Sequence, residues 1–248
     1  MIELRDLTVR YPGARSDALK SVSLVIPEGA FVAVMGGNGS GKSTLARSMN
    51  GILRPARGLV SVDGLTTEDD QSCRSIRRRV GIVFQNPHLQ TTSLTVEREV
   101  AFGLQNIGTD AGTMHRVVDA RLAAAGLEGM RARPPRTLSG GEQQRLALAS
   151  VLAMSPAYLV LDESTSLLSP SSRADLLRVV EEARRSRGMA VILITQFAEE
   201  AMRAGRLVLL RAGVVVAEGP PADVFAHCAA RGVADVSIPL RIRLGLPA

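Results

Sequence analysis

The sequence is poor in cysteine and in aromatic residues, and each shortage excludes a class of function. Among 248 residues there are two cysteines, two tyrosines, five phenylalanines and no tryptophan. These aromatic side chains are too few to form the stacking platforms on which single-stranded nucleic acids bind. Cys73 and Cys228 lie far apart without metal-binding spacing, which favours reduced thiols in a cytosolic protein over a disulfide or a zinc site.

Long apolar runs and lysine are also scarce. We find no signal peptide and no run of eighteen apolar residues, which predicts a chain that neither spans nor crosses a membrane. The formal net charge is +6, and lysine contributes only Lys20 and Lys42 to the 30 basic residues. A basic surface fits nucleic acid and an anionic membrane equally well. Because aromatic residues are few, no nucleic-acid partner is expected.

A glycine-rich segment gives the first positive signal. Residues 36–44 read GGNGSGKST, which fits the pattern of a loop that cradles phosphates between a strand and a helix. Glycines let backbone N–H groups approach an anion, lysine adds a compact charge, and the following hydroxyl can bind Mg²⁺. The candidate binding residues in this loop are Gly36, Asn38, Gly39, Ser40, Gly41, Lys42, Ser43 and Thr44.

Two later motifs narrow the class of NTPase. Residues 138–145 read LSGGEQQR, and residues 158–163 read YLVLDE. A serine N-cap followed by two glycines and a helix start forms a second seat for an anion. Asp162 and Glu163 follow an apolar strand, and adjacent buried carboxylates repel each other unless a cation lies between them. The pair therefore predicts a site for a metal ion.

Strand signals and helix signals alternate along the chain. Alternating apolar and polar side chains predict an antiparallel sheet in residues 2–9 and 18–26. Apolar runs predict buried parallel strands, and a closing hairpin is expected around Gly213. The predicted strands are residues 30–35, 58–64, 79–84, 158–161 and 189–194, and the predicted helices are residues 42–53, several within 96–154, and 171–186.

Together the three motifs resemble those of the ATPase subunits of ATP-binding cassette (ABC) transporters, over residues 1 to about 218. The resemblance implies an α/β P-loop NTPase fold, with an antiparallel β subdomain and ATP and Mg²⁺ as cofactors. The implied ATP-binding domain is residues 1–218, with a core at 1–87 and 156–218 and a helical insertion at 88–155. A short C-terminal extension would follow at 219–248.

The resemblance also implies roles for individual residues. In that family the signature caps the γ-phosphate bound by a partner subunit, so Ser139, Gly140 and Gly141 imply two ATP molecules sandwiched in a head-to-tail dimer. Tyr11 matches the aromatic residue that stacks on adenine, and Gln85 matches the glutamine that contacts Mg²⁺ and water. Asp162 matches the aspartate that organises Mg²⁺ with Ser43, and Glu163 matches the general base. Alternatively, Tyr11 is a surface aromatic and Gln85 a polar strand cap.

Longer stretches resemble the energy-coupling factor (ECF) subgroup. These stretches are QNPHLQ at 85–90, VEREVAFGLQN at 96–106, LALASVLAM at 146–154 and DVSIPL at 235–240. The ATPases of that subgroup power importers of vitamins and of cobalt or nickel. Two of them dock on a membrane T-component, which couples them to a substrate-binding S-component. The resemblance therefore implies a second ATPase subunit and a peripheral position on the cytoplasmic face of the membrane.

At two positions the sequence departs from the family pattern. Gln196 stands where the family has a histidine that contacts the γ-phosphate, and glutamine cannot gain a proton near neutral pH. Ser169 stands where aspartate is usual, in a loop that crosses the dimer interface. We therefore expect an asymmetric heterodimer in which this chain's own site binds ATP and hydrolyses it slowly; neutral drift is the alternative.

Two other functions stay open at this point. One is a soluble ABC ATPase that acts on nucleic acid or ribosomes, although such proteins generally carry a coiled coil or two cassettes in one chain. The other is a regulatory paralogue that binds ATP with little hydrolysis, which Gln196 and Ser169 favour and which Lys42 and Glu163 oppose. The transported solute is recognised by other chains, and the sequence does not identify it.

Overall fold

The computed structural model describes residues 1–231 and 236–243. Its strands are β1 (Ile2–Val9), β2 (Leu19–Ile26), β3 (Phe31–Met35), β4 (Arg57–Val62), β5 (Leu65–Thr66), β6 (Val80–Val83), β7 (Tyr158–Asp162), β8 (Ala190–Ile194), β9 (Arg206–Arg211) and β10 (Val214–Gly219). Its helices are α1 (Lys42–Met49), α2 (Asp70–Arg79), α3 (Val96–Asn106), α4 (Ala111–Ala125), α5 (Gly140–Ala153), α6 (Pro170–Arg187), α7 (Ala198–Ala201), α8 (Pro221–Ala230) and α9 (Leu240–Arg243).

The strands form two sheets. Four strands make an antiparallel sheet in the order β2-β1-β4-β5, and six make a second sheet in the order β10-β9-β3-β8-β7-β6. In the second sheet β6, β7, β8, β3 and β9 run parallel, and only β10 is antiparallel to its neighbour. The carboxyl ends of the parallel strands therefore meet at one edge, where α/β proteins bind their ligands.

The second sheet is covered on both faces. Successive side chains of β8 point to opposite faces, and they pack into two different apolar clusters. Ile192 packs in the cluster shared with the antiparallel sheet and α1, whereas Val191 and Leu193 pack in the cluster shared with α5 and α6. A third cluster of apolar side chains joins α3, α4 and α5. These helices lie within residues 88–155, where the sequence predicted a helical insertion.

The α/β fold with an antiparallel opening sheet and a helical insertion is confirmed, and the differences concern the ends of two elements and one additional helix. The helix predicted at 42–53 ends at Met49, because the chain turns at Gly51, whose φ is +71°. The strand predicted from Arg79 begins at Val80, since Arg79 closes α2. Helix α2 itself was not predicted, because its sequence is strongly polar and only Cys73 and Ile76 are buried.

The segment after residue 218 packs on the second sheet. Phe225 of α8 is fully buried with Leu207 and Leu209 of β9, and Ile238 and Ile242 pack against the same cluster. The domain boundary at 218 stays a prediction, and Asp235 of the DVSIPL stretch lies outside the described residues. In the described parts of the chain, no helix has both the length and the apolar character needed to cross a membrane.

A buried tyrosine links the two sheets. The ring of Tyr158 on β7 is fully buried, and its hydroxyl donates to Asp63 Oδ1 at 2.6 Å in the turn after β4. Partial burial by itself would raise the pKa of Asp63. Hydrogen bonds from the ammonium of Met1, from Tyr158 and from Arg79 outweigh that effect and lower the pKa to about 2.

Replacement of Tyr158 by phenylalanine should destabilise the fold at neutral pH. The ring stays, but Asp63 loses one hydrogen bond to a charged group, which contributes about 2 kcal/mol. Because the folded-state pKa of Asp63 lies below its unfolded value of about 3.9, this contribution is present above that pH and is lost as the pH falls towards about 2. Urea unfolding at pH 7 and at about pH 3, between the two pKa values of Asp63, measures the difference. Equal stability of both proteins at pH 7 would refute the link.

Candidate active site

The loop between β3 and α1 has a backbone path that only glycine can follow at two positions. Gly36 has φ +152°, and a Cβ there would lie 2.1 Å from the carbonyl oxygen of Leu210. Gly41 has φ +106°, and a Cβ there would lie 2.8 Å from the carbonyl oxygen of Ala18. The loop therefore packs directly against neighbouring backbone, which leaves its other side free to approach an anion.

Several polar groups of this loop are available to an anion. Gly41 is the N-cap of α1 and provides no side-chain hydrogen bond, so the amides of the first turn are not capped by a side chain. The hydroxyl of Ser40 is buried without a hydrogen-bond partner among the described residues. A phosphate group placed at the start of α1 would meet these donors and the positive end of the helix dipole.

The ammonium of Lys42 lies at the centre of the site and is almost fully buried, with 5 % of the side chain exposed. Its Nζ donates to the carbonyl oxygens of Gly36 at 2.9 Å and Gly37 at 3.1 Å. It also lies 3.3 Å from Oε1 of Glu163. A buried ammonium needs this compensation, and triphosphate oxygens could provide it equally well.

Ser43 and Asp162 face each other at the ends of α1 and β7. The Ser43 hydroxyl donates to Asp162 Oδ1 at 3.0 Å. Burial raises the pKa of Asp162, the nearby charge of Glu163 adds to the increase, and the hydrogen bond from Ser43 opposes both. A hydroxyl and a carboxylate are oxygen ligands of the kind Mg²⁺ prefers, and Mg²⁺ takes its other ligands from water and phosphates. The residues present therefore fit Mg²⁺.

Glu163 has a strained backbone and a carboxylate held from two sides. Its φ is +51°, a conformation that non-glycine residues adopt mostly where the surroundings enforce it. Lys42 pairs with its Oε1, and the side-chain amide of Gln196 donates to its Oε2 at 2.8 Å. The carboxylate is thus held from two sides at the mouth of the loop, where Glu163 lines the cavity over the phosphate loop.

Gln85 is linked to the backbone of Glu163 through Ser166. Its side-chain amide donates to the Ser166 hydroxyl at 3.3 Å, and that hydroxyl donates to the carbonyl oxygen of Glu163 at 2.8 Å. Sequence reasoning did not select Ser166. No motif distinguishes it from its neighbours Ser164 and Ser169, and its role as a bridge depends on the turn after β7.

A cavity of about 390 Å³ connects most of the predicted site residues. Its lining consists of Tyr11, Ala18, residues 38–44, Gln85 and Glu163. The hydroxyl of Tyr11 lies 3.2 Å from Thr44 Oγ1, so the ring stands beside the start of α1. Gln196 lines an adjoining cavity of about 390 Å³, together with Gly36, Gly37 and Ser237.

The signature residues lie apart from both cavities. Ser139 caps α5 in a reciprocal arrangement, in which its backbone N–H donates to Glu142 Oε2 at 2.7 Å and its hydroxyl accepts from the Glu142 N–H. Neither Ser139, Gly140 nor Gly141 lines the cavity over the phosphate loop. A single chain therefore does not bring the second anion seat to its own loop.

The chain is similar to known proteins. The profile of the family described as ABC transporter matches residues 19–166. The chain is 48% identical over 210 residues to the energy-coupling factor transporter ATP-binding protein EcfA1 of Symbiobacterium thermophilum, covering 85% of this chain and 73% of that protein. It is 42% identical over 241 residues to the corresponding EcfA of Syntrophomonas wolfei, covering 96% and 88%.

Solved structures agree with the fold. The structure of cbiO1 from Clostridium perfringens, part of the ABC transporter complex cbiONQ, has a TM-score of 0.82 at 30% identity and covers 98% of both chains. A dimeric ATP-binding cassette in a post-hydrolysis state with ADP and phosphate also has a TM-score of 0.82 at 30% identity. It covers 89% of this chain and 99% of its own.

Substitution of Gly36 by alanine should weaken nucleotide binding about tenfold or more, because the new Cβ overlaps the Leu210 carbonyl oxygen and must displace the loop. Gly64→Asn is the control. Gly64 has φ +82° with open space around it, and asparagine tolerates that conformation. Titration with a fluorescent ATP analogue measures both variants. Unchanged affinity in Gly36→Ala would show that the loop does not bind nucleotide in this conformation.

Proposed function

The chain belongs to the ABC transporter family, as a homologue of the ATP-binding proteins of energy-coupling factor transporters, and from this we propose that it powers an importer of a vitamin or a transition-metal ion. ATP hydrolysis coupled to transport is the activity of this family. The observation that supports the proposal is the convergence of Lys42, the Ser43–Asp162 pair and Glu163 at one end of the parallel strands.

The proposed binding of ATP follows from the position of each group. The phosphates would lie on the amides of residues 36–44 and on Lys42, and the adenine would stack on Tyr11, whose ring stands at the side of the same cavity. Ser43, Asp162 and Gln85 would hold Mg²⁺, which when bound neutralises charge on the β- and γ-phosphates.

Glu163 is the proposed general base. Once phosphates take over the ammonium of Lys42, Oε1 of Glu163 is free to accept a proton from the attacking water. Gln196 can keep Oε2 in place through its amide. Glutamine does not carry positive charge or relay a proton. We therefore propose that hydrolysis at this chain's own site is slow, while ATP binding there is retained.

The opposite site is proposed to do most of the turnover. Ser139, Gly140 and Gly141 keep the family signature, and the capping arrangement of Ser139 with Glu142 forms a regular helix start. In a head-to-tail dimer this seat would close over the ATP of a second ATPase subunit, whose own catalytic residues would act there. Both a different subunit and a second copy of this chain satisfy the geometry, and Gln196 favours a different subunit.

Three exposed apolar side chains support docking on a membrane T-component at the cytoplasmic face. Leu89, Leu94 and Phe102 are 83%, 73% and 46% exposed, and all three follow Gln85 within the helical insertion. The loop that carries Leu94 is held by buried Glu99, whose Oε2 accepts from the backbone N–H groups of residues 92 and 93 at 2.9 and 2.8 Å. A fixed loop with an exposed leucine, close in sequence to exposed Leu89, suits a permanent protein partner.

A regulatory paralogue that binds ATP without useful hydrolysis is the second candidate. Gln196 in place of the family histidine is the observation that favours it. Against it stand Lys42 and Glu163, whose ammonium and carboxylate lie 3.3 Å apart at the phosphate loop. The two candidate functions differ in their prediction for a histidine at position 196: it should raise ATP hydrolysis in the importer ATPase and leave it unchanged in the regulatory paralogue.

In the assembled transporter, Gln196→His should raise steady-state ATP turnover towards twice the parental rate, because two sites then hydrolyse ATP instead of one. A histidine there adds a group that can be protonated beside the γ-phosphate. The measurement is phosphate release by the purified complex in membrane vesicles at saturating ATP. An unchanged rate would mean that Gln196 is not what limits this site.

Ser139→Arg tests the opposite site by the same measurement of phosphate release. The long charged side chain of the new arginine would fill the anion site at the start of α5, so ATP turnover by the complex should be lost. If Ser139→Arg hydrolysed ATP at the parental rate, the shared-site dimer would be wrong.

Replacing both Leu89 and Leu94 by aspartate should release the chain from its membrane partner, since two charges would enter an apolar contact. Ile52→Asp, at a half-exposed position outside this segment, is the control and should not change retention. Recovery of the tagged chain with solubilised membrane proteins measures the effect. Equal recovery of the double variant and the parent would place the contact elsewhere.

A further inference from the structure

A buried carboxylate lies behind the active site and has no part in the chemistry proposed above. Glu200 is the third residue of α7 and is only 4% exposed. It lines neither of the cavities beside the phosphate loop. An ionised carboxylate is costly to bury unless hydrogen bonds and a counter-charge compensate it. The hydrogen-bond donors belong to the segments that directly follow β7 and β8, and the counter-charge belongs to α6.

One oxygen of Glu200 connects these two segments. Its Oε2 accepts hydrogen bonds from Thr165 Oγ1 at 3.0 Å and from Thr195 Oγ1 at 2.5 Å. Thr165 is two residues after Glu163, and Thr195 immediately precedes Gln196. Thr195 Oγ1 also accepts from the backbone N–H of Phe197 at 3.0 Å, which fixes the chain on the other side of Gln196.

The counter-charge comes from α6. Arg173 Nε lies 3.5 Å from Glu200 Oε1, and the guanidinium stands 3.5 Å above the ring of Phe197. Arg173 also donates to the carbonyl oxygen of Leu168 at 3.4 Å, and its backbone N–H donates to the carbonyl of Ser169, the N-cap of α6. The network therefore reaches both positions at which the sequence departs from the family pattern.

We propose that Glu200 is a positioning residue that sets the separation of Glu163 and Gln196 by holding Thr165 and Thr195 on one carboxylate oxygen. The direct bond between Glu163 and Gln196 joins two side chains at the mouth of the site. The backbone N–H of Glu163 also donates to the carbonyl oxygen of Ile194 at 3.0 Å, which joins the ends of β7 and β8. Glu200 adds a buried side-chain attachment beyond these strand ends, between Thr165 and Thr195. The strained φ of Glu163 requires such support from its surroundings.

This inference rests on the proposed roles of Glu163 and Gln196, and the test separates the two claims. It uses the assembled transporter carrying Gln196→His, in which the site on this chain is expected to hydrolyse ATP. Glu200→Ala added to that complex should reduce the turnover gained from Gln196→His by about tenfold or more, because sub-ångström displacement of catalytic groups is costly. The KM for ATP should change by less than about threefold, since the binding loop is untouched.

Two variants serve as controls. Glu199→Ala removes a carboxylate from an exposed neighbour on the same helix and should leave turnover as in the Gln196→His complex. Glu200→Gln keeps an oxygen that can accept from both threonines and should recover most of the turnover that Glu200→Ala loses. Rescue by glutamine distinguishes positioning through the threonines from a need for negative charge beside Arg173.

Hydrogen exchange supplies a readout that does not depend on catalysis. In Glu200→Ala, but not in Glu199→Ala, the amides of residues 163–169 and 195–197 should exchange faster in the folded complex. If Gln196→His adds no turnover, the proposal that Gln196 slows this site fails, and the exchange result still decides whether Glu200 joins the two segments. Unchanged exchange in Glu200→Ala would overturn the inference. So would faster exchange with kcat and KM both unaltered, or an increase in KM as large as the loss of kcat.

Discussion

The buried ammonium of Lys42 is the interaction on which the other site contacts depend. It joins two carbonyl oxygens of the phosphate loop to the carboxylate of Glu163, and so connects the segment after β3 to the segment after β7. Such a charge can be buried only because the loop carbonyls turn inward, and they turn inward because Gly36 and Gly41 follow paths that a side chain would block. The parallel sheet supports this geometry by bringing the ends of β3, β7 and β8 to one edge.

The same contacts bear on the proposed catalytic step. Lys42 and Gln196 together hold both carboxylate oxygens of Glu163. Binding of ATP would replace one of these contacts and leave the other. A histidine at position 196 could do more than hold the carboxylate, since it can also be protonated. The retained Glu163 and the altered residue 196 together make slow hydrolysis a more economical account than complete inactivity.

The fold and the glycine-rich loop between a strand and a helix could be predicted because their signals are local. A strand, a glycine-rich loop and a helix follow one another within residues 31–49. The apolar run, the glycines and the lysine in this stretch indicate the conformation of the backbone directly. Helix α2 was not predicted, because it buries only Cys73 and Ile76 and otherwise has the composition of a polar loop. Glu200 could not be singled out either. It lies in the ordinary segment AEEA, and its partners Thr165 and Thr195 come close only when β7 and β8 pair.

The most direct test of the asymmetric-site account is to locate hydrolysis in the native transporter. The tagged chain would be purified with its partners from gently solubilised membranes, and the complex would be trapped with vanadate and a photoreactive azido-ATP. We expect a second ATPase subunit and integral membrane proteins to co-purify, and we expect the trapped label to lie on that second ATPase. Equal or greater labelling of this chain, or recovery without another ATPase, would contradict the account.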